Sequence, residues 1–260
     1  MTAAPRSAVA IVPVRLGSQR LPGKAMLAET GKPLFLHTWQ RAVEAKLFEA
    51  VFVATDSDEV AAACDAQGAK VLRTSPTPRT GSERCAEAAL QIPDKYGIVV
   101  DIQGDWPEVE PRDLDALVEC LRTYKAPTAT LAVALKSGDA EHDARFLDPN
   151  VVKVVRGLDG KALYFSRAPI PYQRDPSPLP RLHHVGVYAF TREVLRKIPK
   201  LKSSGLDTCE SLEQLRFLEN GIQMQVLDAH GDPLGIETRA DYDAFLKRSA
   251  TTVRSGGGTR

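Results

Sequence analysis

The feature that most constrains this chain is an alternation of short apolar runs with amphipathic stretches. Ala8-Val9-Ala10-Ile11-Val12-Pro13-Val14 is continuously apolar, as a strand buried on both faces must be. Residues 50–54, 70–72, 97–102 and 129–133 repeat the pattern. Helical stretches between them are predicted near residues 34–46, 60–66, 83–91 and 112–124, with Thr55-Asp56-Ser57 placed to cap the second. Strands alternating with helices predict an α/β fold, a mostly parallel sheet with helices on both faces. Past about residue 145 the rhythm changes. Residues 151–155 and 162–165 read as strands joined by the turn Gly157-Leu158-Asp159-Gly160, and a proline-rich loop over 170–180 leads to a strand at 185–190. A helix over 210–220, a strand over 224–227 and a helix over 239–248 complete the reading. No flexible linker interrupts the chain, so residues 1–250 are expected to form one domain carrying a smaller β-rich insertion. Residues 251–260 are expected to be a flexible tail without function.

Composition enters by exclusion. A chain of 260 residues with 43% hydrophobic residues and a net charge of +1 is too apolar and too neutral to be disordered. The same neutrality argues against a nucleic-acid footprint spread over the whole protein. No apolar run approaches the ~18 residues of a membrane helix, and the first residues lack the apolar stretch of a secretory signal. Cys64, Cys85, Cys120 and Cys209 are scattered, with no Cys-x-x-Cys pair, and predict neither a zinc site nor a disulfide frame. The expectation is a cytoplasmic globular protein that binds neither nucleic acid nor membrane.

The most informative segment follows the first strand: Val14-Arg15-Leu16-Gly17-Ser18-Gln19-Arg20-Leu21-Pro22-Gly23-Lys24. Ligands of open α/β sheets sit at the carboxyl ends of the strands, where this loop lies. Glycines let backbone N–H groups approach phosphate oxygens, and Arg15, Arg20 and Lys24 add charge and donors. The competing reading is a solvated basic loop. The segment matches neither a Walker loop nor Gly-x-Gly-x-x-Gly, which argues against a dinucleotide oxidoreductase.

The order Arg-x-Gly-Ser-x-Arg-Leu-Pro-Gly-Lys resembles the signature loop of the sugar-nucleotide cytidylyltransferases. Further segments extend the resemblance: Ala54-Thr55-Asp56, Thr80-Gly81-Ser82-Glu83-Arg84, Gln103-Gly104-Asp105, Ala129-Thr130-Leu131 and Val152-Lys153-Val154-Val155. Ala162–Arg167, His184–Tyr188 and Glu210–Arg216 are similar to the branch that activates 3-deoxy-D-manno-octulosonate (Kdo). The motifs are collinear over about residues 9–240. The chain departs from the family pattern at Trp106 (usually Glu or Gln), at Pro78 (a His) and at Glu237 (an Asp).

The resemblance implies a Rossmann-like, three-layer nucleotidyltransferase fold, a homodimer formed through the region of about residues 125–220, and CMP transfer from CTP to an acidic sugar with Mg2+ as cofactor. Arg15, Gly17, Ser18, Arg20, Lys24, Ser82 and Gln103 would bind the nucleotide, Lys24 and Asp105 would be catalytic, and Asp105 and Glu237 would hold the metal. Asp232 is a substitute ligand, and Asp241 a candidate cap of the last helix. A hydroxylated sugar acid calls for one cation and several neutral donors and acceptors. Arg167, His184, Tyr188, Glu210 and Gln214 match those pocket positions, with His184 and Tyr188 on one strand face and Glu210 and Gln214 on one helix face. The alternatives are another acidic sugar, such as an amino-substituted Kdo or a nonulosonate, and a catalytically silent sugar-nucleotide binder.

Overall fold

The computed structural model of the chain describes residues 7–18, 20–124, 126–175, 178–203 and 205–256. The first half runs β1 (Ser7–Pro13), α1 (Leu34–Glu44), β2 (Phe48–Thr55), α2 (Asp58–Asp65), β3 (Lys70–Arg73), α3 (Gly81–Ala88), β4 (Tyr96–Ile102) and α4 (Pro111–Thr123). The second half runs β5 (Thr128–Leu135), α5 (Ala140–Leu147), β6 (Lys153–Arg156), β7 (Ala162–Ser166), β8 (Arg181–Thr191), α6 (Arg192–Leu195), α7 (Gly205–Glu210), α8 (Glu213–Glu219), β9 (Met224–Asp228) and α9 (Arg239–Gly256).

Seven strands form the main sheet in the order β3-β2-β1-β4-β8-β5-β9. β1 pairs parallel with β2 and β4, β2 with β3, and β5 with β9. β8 runs antiparallel to both neighbours, β4 and β5, and lends its first residues to β6, which pairs with β7 as a hairpin. One sheet therefore carries both the α/β half and the β-rich insertion.

β1 shows why the sequence adopts this architecture. Ala8, Ala10 and Val12 face one core, with Phe35 and Leu36 of α1 and Leu114, Leu117 and Val118 of α4. Val9 and Ile11 face the other, with Cys85 and Ala88 of α3 and Leu195 of α6. A strand between two helical layers must be apolar on both faces. A third, smaller cluster joins Leu34 to Ile236, Tyr242 and Phe245, and so fastens α9 over the start of α1.

Local signals acted as the sequence predicts. Ser57 caps α2 by accepting from Val60 N, and Asp241 shares a capping box with Thr238 at the start of α9. Two readings need correction. The stretch 210–220 is not one helix: Ser211 has φ 52, the chain turns there, and α7 and α8 are separate elements. α5 is not among the expected helices, because Ala140–Leu147 is short and polar and its buried residues are Arg145 and Phe146. Of the expected tail, residues 257–260 lie outside the described residues, while α9 extends to Gly256. The cysteines are unpaired, with Cys64, Cys85 and Cys120 buried and Cys209 exposed.

Candidate active site

A cavity of about 1480 Å³ opens along the carboxyl ends of β1 and β4 and continues over β8 towards α7 and α8. It exceeds the roughly 300–1,000 Å³ of ordinary ligand pockets, which suits two substrates held side by side.

Lys24 sits at its head. Gly23 takes a left-handed φ of 68, which starts a one-turn 3-10 helix over Lys24–Met26 and turns the lysine inward. Although it is a surface-loop residue by sequence, Lys24 is only 9% exposed. Its Nζ donates to Asp105 Oδ2 at 2.7 Å, to Ile236 O at 2.6 Å and to Glu237 Oε2 at 3.3 Å. Burial alone would lower its pKa, but Asp105 and Glu237 outweigh that and raise it above 10.5, so the ammonium is permanent. Arg20 adds a second cation on Glu237, 2.9 Å away.

The loop after β1, the end of β4 and one distant segment make this cluster. Asp105 follows β4, and its carbonyl accepts from Ile236 N at 2.9 Å, tying the 234–238 segment to the sheet. Asp241 Oδ2 accepts from Glu237 N at 3.0 Å and so orients the loop that carries the glutamate. The predicted pair Asp105 and Glu237 is thus brought together. Asp232 is not: Arg145 holds it bidentately at 2.6 and 2.8 Å, which removes it from the candidate ligands. Among the described residues no three His, Cys, Asp or Glu side chains form a ready-made metal cluster.

Arg15, Gly17, Ser18, Arg20 and Gln103 all line the cavity. Arg15 donates to Arg79 O at 3.1 Å, which links the first loop to the segment ahead of α3. Ser82, expected to bind the nucleotide, does not line the cavity. It is fully buried, and its hydroxyl donates to Asp101 Oδ2 at 3.1 Å; its neighbours Arg79, Thr80 and Gly81 line the cavity instead. Asp101 also accepts from Gln103 Nε2 at 2.7 Å, leaving Gln103 Oε1 without that bond. Burial and the nearby Glu213 hold the Asp101 carboxyl well above the usual range, and burial raises Glu213 as well.

On the insertion side, His184 and Tyr188 share a sheet face as predicted, their rings 5.5 Å apart. A bulge lies between them, since Thr130 pairs with Tyr188 and Leu131 with Val185. Thr130 Oγ1 donates to Val187 O at 2.7 Å and accepts from His184 Nε2 at 3.0 Å. Burial pushes His184 down to about 3 and Tyr188 well above 10, so both are neutral. Tyr188 OH donates to Gln214 Oε1 at 3.3 Å.

Arg167 reaches the cavity, yet its guanidinium donates to Glu210 O, Pro149 O and Ser211 O. Glu210 does not share a face with Gln214. Its carboxylate accepts from Ser166 Oγ at 2.6 Å and Arg167 N at 2.9 Å, pinning α7 to β7. The sequence reading missed Glu213, which lines the cavity and whose Oε2 is sealed without a partner. The available signal was its place in the Glu210–Arg216 motif, directly before Gln214.

This fold and site define a nucleotidyltransferase, and the comparisons agree: the cytidylyltransferase family model matches residues 9–225, and the chain belongs to that family. Its relatives are specific. A 3-deoxy-manno-octulosonate cytidylyltransferase of Chlorobium limicola is 42% identical over 249 residues, covering 94% of this chain and 99% of the relative. One from Myxococcus xanthus is 39% identical, covering 90% and 93%. A solved CMP:2-keto-3-deoxy-manno-octonic acid synthetase complexed with CTP superposes with a TM-score of 0.84 at 36% identity, covering 95% of this chain and 99% of that one. A 4-diphosphocytidyl-2C-methyl-D-erythritol synthase of Anaerococcus prevotii, at 15% identity and a TM-score of 0.59, shares the fold alone.

Proposed function

We propose that this protein transfers CMP from CTP to the anomeric hydroxyl of Kdo and releases pyrophosphate. The observation that carries the reading is the convergence of Lys24, Asp105 and Glu237 at the head of a cavity that continues to His184, Tyr188 and Gln214. The relatives named above support the sugar.

In this reaction the anomeric oxygen forms a bond to the α-phosphorus, the bond from that phosphorus to the pyrophosphate oxygen breaks, and the hydroxyl proton leaves to solvent. Such transfers depend on positioning and charge more than on covalent help. Arg15 and Arg20 bring cations to the phosphate side, with the loop backbone from Gly17 to Ser18 between them. The Lys24 ammonium, at the head of the cavity, opposes the charge that develops on the leaving group. Gln103, its Nε2 anchored on Asp101, offers Oε1 to a donor on the ribose or base. Neutral His184, Tyr188 and Gln214 suit a polyhydroxylated substrate, and Arg167 brings positive charge near its carboxylate.

The donor set fits Mg2+: two carboxylate oxygens, Asp105 Oδ2 and Glu237 Oε2, approach one cation in a cavity open to phosphates, and Mg2+ characteristically takes one or two carboxylates plus phosphate and water. When bound there, Mg2+ supplies further positive charge against the phosphates.

We further assign the exposed apolar residues Leu158, Leu163 and Tyr172, on and after the β6–β7 hairpin, to contact with a second copy of the chain. Unpaired thiols and the use of CTP favour the cytoplasm, and no helix among the described residues is long and apolar enough to cross a membrane. Pyrophosphate release from CTP across Kdo, an amino-substituted Kdo and a nonulosonate tests the reading. Kdo should give the highest kcat/KM; a clear preference for another acid would replace the sugar and keep the class.

A further inference from the structure

The cavity has a second wall that the mechanism above leaves idle, on the sheet face opposite His184. Trp106 follows Asp105 directly and is only 9% exposed, yet it lines the cavity. Its indole lies against two glycines. A Cβ on Gly186 would stand 2.8 Å from Nε1, and one on Gly235 would stand 3.0 Å from Cζ2, so a side chain at either position would crowd or cover the ring. The indole N–H bonds to no described residue and is not among the sealed, unpaired polar atoms of the interior. It therefore opens on the cavity.

His183 lies beside it, with ring centroids 6.2 Å apart, 5% exposed and also lining the cavity. Arg145 Nη2 donates to His183 Nδ1 at 2.8 Å. A guanidinium has no acceptor, so Nδ1 must accept, and the neutral ring carries its proton on Nε2. Burial, and then the charge of Arg145, push His183 down to about 3, which keeps the ring neutral. Nε2, like the indole nitrogen, has no partner among the described residues and is not sealed. Asp232 grips Arg145 bidentately and fixes the arrangement from behind.

We propose that Trp106 Nε1–H and His183 Nε2–H form a pair of neutral donors that binds hydroxyl oxygens of the sugar acid, with Arg145 as the positioning residue that sets the histidine tautomer. The triphosphate is the poorer candidate. Its charge is met by Arg15, Arg20 and Lys24, whereas these two donors are uncharged and the guanidinium behind them is neutralised by Asp232. The pair rests on the functional reading above, since it needs a polyhydroxylated second substrate.

The test is steady-state kinetics of the full-length protein with CTP, Kdo and Mg2+, on Trp106→Phe, His183→Leu, His183→Gln and Gly186→Ala, each checked by thermal melting. Trp106→Phe keeps an aromatic ring and removes the donor; KM for Kdo should rise about fivefold, the loss of one neutral hydrogen bond, with a smaller effect on kcat. Gly186→Ala should do the same by covering Nε1. His183→Leu should raise KM for Kdo similarly, and His183→Gln, which can both accept from Arg145 and donate onward, should recover most of it. A wild-type protein that turns over Kdo while both Trp106→Phe and His183→Leu keep its KM for Kdo overturns the donor pair alone. A rise in KM for CTP in place of Kdo overturns it too, by giving the donors to the nucleotide. A folded wild type that releases no pyrophosphate with Kdo overturns the functional reading on which the pair rests.

Discussion

Replacing Lys24 with methionine tests whether this residue belongs to the loop surface or to the site. Methionine keeps the apolar stem and removes the ammonium, and with it three hydrogen bonds: to Asp105, to Glu237 and to the carbonyl of Ile236. Hydrogen bonds to charged groups contribute about 1.5–3 kcal/mol each when buried. The Asp105 and Glu237 side chains are 26% and 37% exposed, so water screens much of their share. The bond to Ile236 is buried and joins positions 212 residues apart. A net loss of about 2 kcal/mol follows, and at about 2–4 °C per kcal/mol for a chain of this size Tm should fall by about 4–8 °C. That exceeds the near-zero cost expected of a surface-loop substitution. The sign of the pH dependence is fixed. Because the Lys24 pKa is raised, its stabilisation is complete below about 10.5 and is lost only as pH climbs through the higher folded value, so the deficit should be constant between about pH 6 and 9. Two carboxylates left without their ammonium should also gain more Tm from added Mg2+ than the wild type does. Thermal melts with and without Mg2+, paired with pyrophosphate release, measure all of this. Lys24→Met with wild-type Tm and wild-type turnover would refute the cluster; a fallen Tm with wild-type turnover would leave Lys24 a purely architectural role.

Asp105→Asn should be nearly inactive, and Glu237→Gln should raise the Mg2+ concentration needed for half-maximal rate; initial rates against Mg2+ distinguish a lost ligand from a lost fold. Glu237→Asp, one methylene shorter on a loop held by Asp241, should retain partial activity, and activity at or above wild type would count against the placement of that loop. Buried Asp101 has a raised pKa, so the folded state binds more protons than the unfolded one above about pH 4, and this carboxyl costs stability as pH rises. Asp101→Asn should therefore flatten the fall of Tm with pH relative to wild type, and identical Tm-against-pH curves would show that Asp101 is ionised at no cost. Tyr188→Phe frees Gln214 Oε1 from its donor and should raise KM for the sugar more than KM for CTP in the same rate assay.

The layered fold was legible because β1 is apolar on both faces and its neighbours repeat the pattern, which only a sheet between two helical layers satisfies. Boundaries were legible where a cap marks them, as at Ser57. α5 was not, since its buried face holds Arg145, whose partner Asp232 lies 87 residues away. Nor was the break at Ser211, where a non-glycine residue takes a positive φ without a glycine or proline to announce it. The residues of the Lys24 cluster were found by motif, but their mutual contact was not, because sequence separations of 81 and 213 carry no local signal. Ser82 and Glu210 were carried over from the family's motifs, and in the structure they act as fasteners, one under Gln103 and one between α7 and β7. Trp106 read as a departure from a pattern; only the two glycines packed on it show how it enters the wall of the cavity.

CMP transfer from CTP to Kdo is read from the product itself, by mass spectrometry and phosphorus NMR after incubation with Mg2+. One phosphodiester of CMP and Kdo should form, in equal amount with pyrophosphate, and ATP or GTP should give no such product. CTP left intact, or cleaved to free CMP with no sugar attached, would contradict it.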